Sequence, residues 1–89
     1  MKNIKLIKGE FTPELAKKIV ISLLDDKIKF HAVKIFSDTE KGITFGVDES
    51  KLRYKELKKQ RNELIEYFDG LDSNVRLSIS SFIDIQINS

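Results

Sequence analysis

The C-terminal run "VRLSISSFIDIQI", residues 75–87, restricts the fold of this chain more than any other feature. Its odd-numbered positions are aliphatic except at Ser81, and its even-numbered positions are polar except at Phe82. Because successive side chains of a strand point to opposite faces of a sheet, this alternation predicts one long strand with an apolar face. At the usual rise per residue such a strand extends about 43 Å.

Two helices are predicted upstream of this strand. The first begins at "TPEL", where Thr12 suits the cap and Pro13 the first helical position, and it continues to about residue 26. The second has Asp48 or Ser50 as its cap and ends at "DGLD", where the glycine is expected in the left-handed conformation. The apolar residues that recur at helical spacing are Leu15, Ala16, Ile19, Val20, Leu23 and Leu24 in the first helix, and Leu57, Leu64, Ile65, Phe68 and Leu71 in the second.

The N-terminal segment and the middle of the chain decide the topology. The segment "NIKLIKGEF" is typical of a strand, with a bend near Gly9. Residues 29–36 and 42–48 favour a hairpin, because the apolar residues of "ITFGV" alternate and a turn-like stretch precedes them. The predicted order is then β-α-β-β-α-β, which is a four-stranded antiparallel sheet with two helices on one face.

The alternative order is β-α-α-β, with the terminal strands paired and residues 28–47 forming a helical connector. It stays open because four apolar residues of this segment also fit one face of a helix. Both orders are two-layer α+β sandwiches, formed by one domain of residues 1–89. The four residues that fit both patterns are Ile28, Ala32, Ile35 and Phe36.

The length of the C-terminal strand predicts a homodimer. The other predicted strands have five to nine residues, so none can pair with all of it, and exposed strand edges are normally covered or charged. Three interpretations are open: a bulge at residues 80–82, pairing with the same strand of a second copy about a two-fold axis, or fraying of the last residues. We favour the second. The predicted self-association edge consists of Ile79, Ser81, Phe82, Ile83, Ile85 and Ile87.

Composition excludes several classes of protein. Hydrophobic residues make up 40% of the 89 residues and charged residues 34%, which is typical of one folded domain, with a stability on the order of 5 kcal/mol. The absence of cysteine excludes disulfides and thiolate metal sites. Because the sequence contains neither a signal-peptide pattern nor an apolar run of membrane-spanning length, we expect a cytoplasmic protein without a membrane partner.

Residues capable of catalysis or metal binding are present but not in a recognisable arrangement. His31 is the only histidine, and nothing in its spacing from Ser22, Ser37 or Asp38 indicates a nucleophilic site. The acidic pairs do not match a calcium-loop spacing, and none of the four glycines opens a helix as a phosphate loop requires. We therefore expect a protein that is not an enzyme, with no catalytic residues, no metal and no cofactor.

A nucleic-acid partner is the alternative hypothesis. The net charge of +2 is small, but basic residues concentrate on one side of the second helix. Several of them recur at four-residue steps and could follow phosphates. The residues of this predicted nucleic-acid surface are Lys51, Lys55, Lys58, Lys59 and Arg61.

The run "KGEFTPELAKKIVISLLDDKIKFH", residues 8–31, resembles a pattern found in small uncharacterised bacterial proteins. These share an F-[ST]-P-E start, an apolar helix, a K-I-x-[FY]-H ending, then a charged helix and a final alternating strand. The resemblance spans most of the chain; it implies no activity, substrate or cofactor, and it favours the β-α-α-β order. The sequence thus predicts a non-enzymatic interaction or regulatory module that binds itself or another protein.

Overall fold

The chain folds into a two-stranded sheet and a helical hairpin. A computed structural model describes residues 1–88, with β1 (Lys2–Phe11), α1 (Pro13–Glu40), α2 (Val47–Asp69) and β2 (Leu77–Ile85) in that order. β1 and β2 pair antiparallel, so the first and last elements of the chain lie side by side. The predicted α+β class is confirmed, and the order of elements is that of the β-α-α-β alternative.

The predicted hairpin in the middle of the chain is wrong. α1 continues without interruption to Glu40, and the segment 42–48 contains the turn between the helices and the first residues of α2. Over so short a run, apolar residues at every second position also include the three- and four-residue spacing of a helix. Ile28, Ala32 and Ile35 are half-buried in α1, which shows that the helical period determines their packing.

The start of α1 follows the sequence prediction. The Thr12 hydroxyl oxygen accepts a hydrogen bond from the Leu15 amide at 3.3 Å, and Pro13 occupies the first turn. This arrangement satisfies one of the amides that have no partner inside the helix. Thr12 is the single residue between β1 and α1.

The ends of α2 differ from the prediction. Gly46, at φ 77°, is the N-terminal cap, so Asp48 and Ser50 lie inside the helix instead of capping it. At the other end Gly70 has φ −82°, which is right-handed and not left-handed as expected. The Gly70 amide donates to the Glu66 carbonyl at 3.1 Å, which closes the last turn without a left-handed residue.

The sheet contains its irregularity in β1. Lys5 lies opposite Phe82 and Ile7 lies opposite Ser81, so Leu6 is an extra residue in β1. A bulge at residues 80–82 is one of the three interpretations of the C-terminal strand. The structure has the bulge in β1 instead, opposite Ser81 and Phe82.

The predicted length of the C-terminal strand is also wrong. β2 has nine residues and β1 has ten, and β1 accompanies β2 from end to end. The expectation that this strand outruns every neighbour in its own chain therefore fails. One part of the expectation is retained: β2 has a free edge, because among residues 1–88 it pairs with a strand on one side only.

The two helices pack against each other around a very small core. Only four hydrophobic side chains of the described chain are buried: Ala16, Val47, Leu57 and Phe68. Two ion pairs join the helices across their surface, Asp25 with Arg61 and Lys17 with Asp69, the latter at 2.8 Å. Within residues 1–88, neither helix has an apolar stretch of the length that a bilayer crossing needs.

The molecule is extended for its size. Its radius of gyration is 16.3 Å, whereas about 12 Å is usual for a compact domain of this length. Its accessible surface is 7211 Å², compared with about 5,400 Å² for a typical folded monomer of this mass. The excess is about 1,800 Å². The excess surface arises because, among residues 1–88, α1 is the only helix that contacts the sheet, and it does so over only a few residues.

Candidate self-association surface

One face of the sheet is apolar and only partly covered: Ile4, Ile83 and Ile85 are exposed, and its other apolar residues are half-buried. Residues directly opposite each other in an antiparallel pair share a face, and Ile4 lies opposite Ile83 while Phe11 lies opposite Leu77. At the end of the sheet that lies away from the start of α1, Ile4 is 50% exposed and Ile85 is 52% exposed. We call this surface the apolar sheet face; it comprises Ile4, Ile7, Phe11, Leu77, Ile79, Ile83 and Ile85.

The opposite face of the sheet is polar. It contains the paired positions Lys8 and Ser80, and Asn3 and Asp84, whose side chains form a hydrogen bond. Phe82 is its large aromatic residue and is half-exposed beside Lys5. The sheet is thus amphipathic, with one side suited to solvent and the other to a packing partner.

The two free edges of the sheet differ in their protection. β1 carries Lys2, Lys5 and Lys8 and contains the bulge at Leu6, and lysines and bulges are two features that discourage pairing at a sheet edge. β2 has neither feature: Asp84 is the one charged residue in its sequence, "LSISSFIDI". The β2 edge is therefore the edge that is open to another strand.

The structure brings most of the predicted self-association residues onto β2 but divides them between its two faces. Ile79 and Ser81 are half-buried, and Ile83 and Ile85 are exposed on the apolar sheet face. Phe82 points to the polar side. Ile87 lies beyond the end of β2 and is 88% exposed.

Sequence reasoning missed the contribution of β1 to this surface. Ile4, Ile7 and Phe11 complete the apolar sheet face, yet their spacing does not follow a strict period of two. The bulge at Leu6 shifts the alternation by one residue. Two consecutive apolar residues inside an otherwise alternating strand are the signal that indicates such a bulge.

The predicted nucleic-acid surface is only partly assembled. Its four lysines are exposed on α2, and the Lys58 ammonium lies 5.2 Å from the Tyr54 ring. Arg61 instead points toward α1, where it donates hydrogen bonds to Asp25. The hydrogen bond to Asp25 raises the pKa of the Arg61 guanidinium. Arg61 is thus part of the helix–helix contact and separate from the lysines.

His31 lies between the helices without a polar partner. Neither of its ring nitrogens is exposed or hydrogen-bonded within residues 1–88. Burial lowers the pKa of the imidazole, and the nearby positive charges of Lys27, Arg53 and Lys34 lower it further. Asp38, the acid considered with it, forms an ion pair with Lys34 at 3.6 Å. The rings of His31 and Phe30 are arranged in a T shape, with 5.7 Å between their centroids.

In the described chain no three acidic or histidine side chains come together as metal ligands. No protein-family model matches the sequence, and neither a curated protein nor a solved structure matches it. The resemblance to small bacterial proteins therefore stays an interpretation of the sequence, and function has to be argued from the surface of the molecule.

Proposed function

We propose that this protein is a non-enzymatic interaction module that associates with a second copy of itself, in the cytoplasm, through β2. The observation that carries the proposal is an unprotected strand edge beside an apolar sheet face. Pairing of the β2 edges places the apolar sheet faces of the two copies side by side on one face of a continuous sheet. Homodimers with two-fold symmetry are the commonest protein assemblies.

Pairing of two β2 strands about a two-fold axis is consistent with the register of the sheet. Ser81 is the middle residue of β2, so an axis close to it places the two strands antiparallel and in full overlap. The result is a continuous sheet of four strands in the order β1-β2-β2-β1. Such a sheet has only the two lysine-bearing β1 strands at its edges, which is the arrangement expected of a stable sheet.

The excess surface supports assembly on independent grounds. A chain that exposes about 1,800 Å² more than a typical monomer has that much area to bury against a partner. Obligate homodimers bury about 2,000–5,000 Å² in total, summed over both chains. Two chains with an excess of about 1,800 Å² each together have enough area to fall within this range. Burial of such an area also compensates for a core of four side chains.

The absence of native cysteine allows a direct test of the β2 contact. We expect Ser81→Cys to form an intermolecular disulfide on mild oxidation, because opposed residues of paired strands have Cβ atoms about 5 Å apart. Ser78→Cys is the matched control, since three residues from the axis the two sulfurs are about 20 Å apart. Equal cross-linking at both positions, or none at either with a monomeric mass, contradicts the proposal.

Nucleic-acid binding by α2 is the second candidate function. The exposed position of Lys51, Lys55, Lys58 and Lys59 on one helix supports it, although Arg61 does not join them. Phosphate contacts of this kind weaken steeply as salt increases. A mobility-shift assay at low and at moderate salt tests it, and no shift at low salt removes this candidate.

A further inference from the structure

α1 has apolar side chains on two of its sides. The side that packs toward α2 contains buried or half-buried residues such as Ala16, Leu24 and Ile28. At 3.6 residues per turn, a second set of apolar residues lies together on a different side of the same helix. We call this set the α1 outer stripe; it consists of Leu15, Ile19, Leu23, Phe30 and Val33.

Four of the five residues of the α1 outer stripe are exposed in the single chain, and Ile19 is half-buried. Leu15, Phe30 and Val33 are 51%, 57% and 58% exposed, respectively, and Leu23 is 38% exposed. The stripe spans about 27 Å of helix, at the usual rise of a helix per residue. A helix with apolar residues on more than one side is normally buried on more than one side.

α2 differs from α1 in this respect. Within α2, Leu52 and Tyr67 are the exposed large hydrophobic residues, and the rest of its outer surface is charged or polar. α2 therefore has the pattern of a helix that faces water on one side. α1 has the pattern of a helix that is covered on two sides. α2 covers one of these sides, and no element of the same chain fully covers the other.

We propose that the α1 outer stripe packs antiparallel against the same stripe of a second copy, about a two-fold axis near residue 24. An isologous contact of this kind requires a self-complementary surface, and the stripe is centred on that residue. The antiparallel arrangement places Phe30 near Ile19 of the partner subunit. In a parallel arrangement Phe30 would instead lie opposite Phe30 of the partner subunit.

The charge of Asp26 favours the same orientation. By helical spacing Asp26 lies within the α1 outer stripe, between Leu23 and Phe30 and close to its midpoint. A parallel pair brings the two Asp26 carboxylates face to face, which is unfavourable. An antiparallel pair about residue 24 places Asp26 opposite Ser22 of the partner subunit. Lys18 of the partner subunit lies one helical turn farther, so the Asp26 carboxylate faces a hydroxyl group and a positive charge.

A second copy is the occupant that the available area supports. Strand pairing along β2 covers a strip about 30 Å long and 5 Å wide, which is far smaller than the excess surface of about 1,800 Å². The additional contact needs a long apolar surface, and the α1 outer stripe provides one. The inference rests on the proposed self-association and requires that both contacts share one two-fold axis, as a dimer has only one. It concerns another surface, so the two contacts can fail separately.

Single-cysteine variants and a short bifunctional thiol cross-linker test the helix contact. We expect Leu23→Cys to cross-link to itself, because it lies beside the axis. Leu15→Cys and Val33→Cys are expected to cross-link only when the two variants are mixed, since the antiparallel arrangement brings opposite ends together. Leu52→Cys, 60% exposed on α2, is the control and should not cross-link.

The outcomes separate the two proposals. A cross-link at Ser81→Cys without one at Leu23→Cys leaves the β2 contact and overturns the helix contact. The reverse result establishes the helix contact and removes the β2 contact. Self-cross-linking of Leu15→Cys indicates parallel helices and overturns the inference. Leu23→Lys provides a second readout: it is expected to raise the dissociation constant of the dimer while the helical circular dichroism is kept, and an unchanged dissociation constant contradicts the inference.

Discussion

Replacement of Phe30 by alanine distinguishes an exposed side chain from one that a second copy covers. Phe30 is 57% exposed in the single chain, so about two-fifths of its side chain is buried there. Full burial of a phenylalanine stabilises by about 1.5–3 kcal/mol, which gives about 1 kcal/mol for this fraction. The Lys27 ammonium lies 5.0 Å from the ring centroid and adds about 0.5–1 kcal/mol at an exposed site.

The proposed helix contact changes this expectation. If the partner subunit covers Phe30, its removal leaves a cavity in a packed interface, and Phe→Ala substitutions in such surroundings cost about 3–5 kcal/mol. Phe36→Ala is the matched control. Phe36 is on the same helix and 68% exposed, but it points about 120° away from Phe30 and lies outside the α1 outer stripe. Its loss is expected to cost about 1 kcal/mol.

Urea denaturation followed by circular dichroism measures both variants. At chain concentrations where the wild type is dimeric, we expect Phe30→Ala to lose about 3–5 kcal/mol per chain and Phe36→Ala about 1 kcal/mol. On dilution to monomer the difference should shrink toward 1 kcal/mol or less. Equal losses for the two variants at high concentration refute the reasoning, because they show that Phe30 remains in water.

Three further results are expected from the single chain. Leu57→Ala should lower the free energy of unfolding by about 2–5 kcal/mol, because this leucine is 3% exposed between the helices; a loss below about 1 kcal/mol contradicts that packing. Gly46→Ala should cost about 1–2 kcal/mol in a urea titration, because φ is 77° and the described chain places no heavy atom within 4 Å of the added carbon, so the cost is conformational. The wild type should lose stability as the pH falls below about 6.5, because the pKa of His31 is lowered on folding and the unfolded chain then binds more protons. A shallower loss in His31→Gln, measured between about pH 7.5 and 5.5, confirms the source, and identical pH profiles contradict it.

Local signals in the sequence predicted the features that depend on local chemistry. The start of α1 follows from Thr12 and Pro13, because a cap needs only an oxygen and an extended residue before the first turn. The C-terminal strand follows from alternation, although its ends are shorter than predicted. These features require no knowledge of distant residues.

The features that failed depend on contacts between distant parts of the chain. The segment around Ile35 fits both the strand period and the helix period. Packing of this segment against α2, which is distant in the sequence, decides between the two. The bulge at Leu6 arises from the pairing of the two ends of the chain, and within β1 alone only the two consecutive apolar residues Leu6 and Ile7 indicate it. The self-association edge was predicted on β2, and its proposed extension over β1 and α1 depends on which sides of the fold remain uncovered.

The assembled state can be examined most simply by sedimentation equilibrium of the wild-type chain over a wide range of concentrations. The chain has a mass of 10.3 kDa, and we expect a species of twice that mass whose fraction falls on dilution together with its thermal stability. A stable, fully folded species of 10.3 kDa at every concentration contradicts the proposal that a second copy completes this fold.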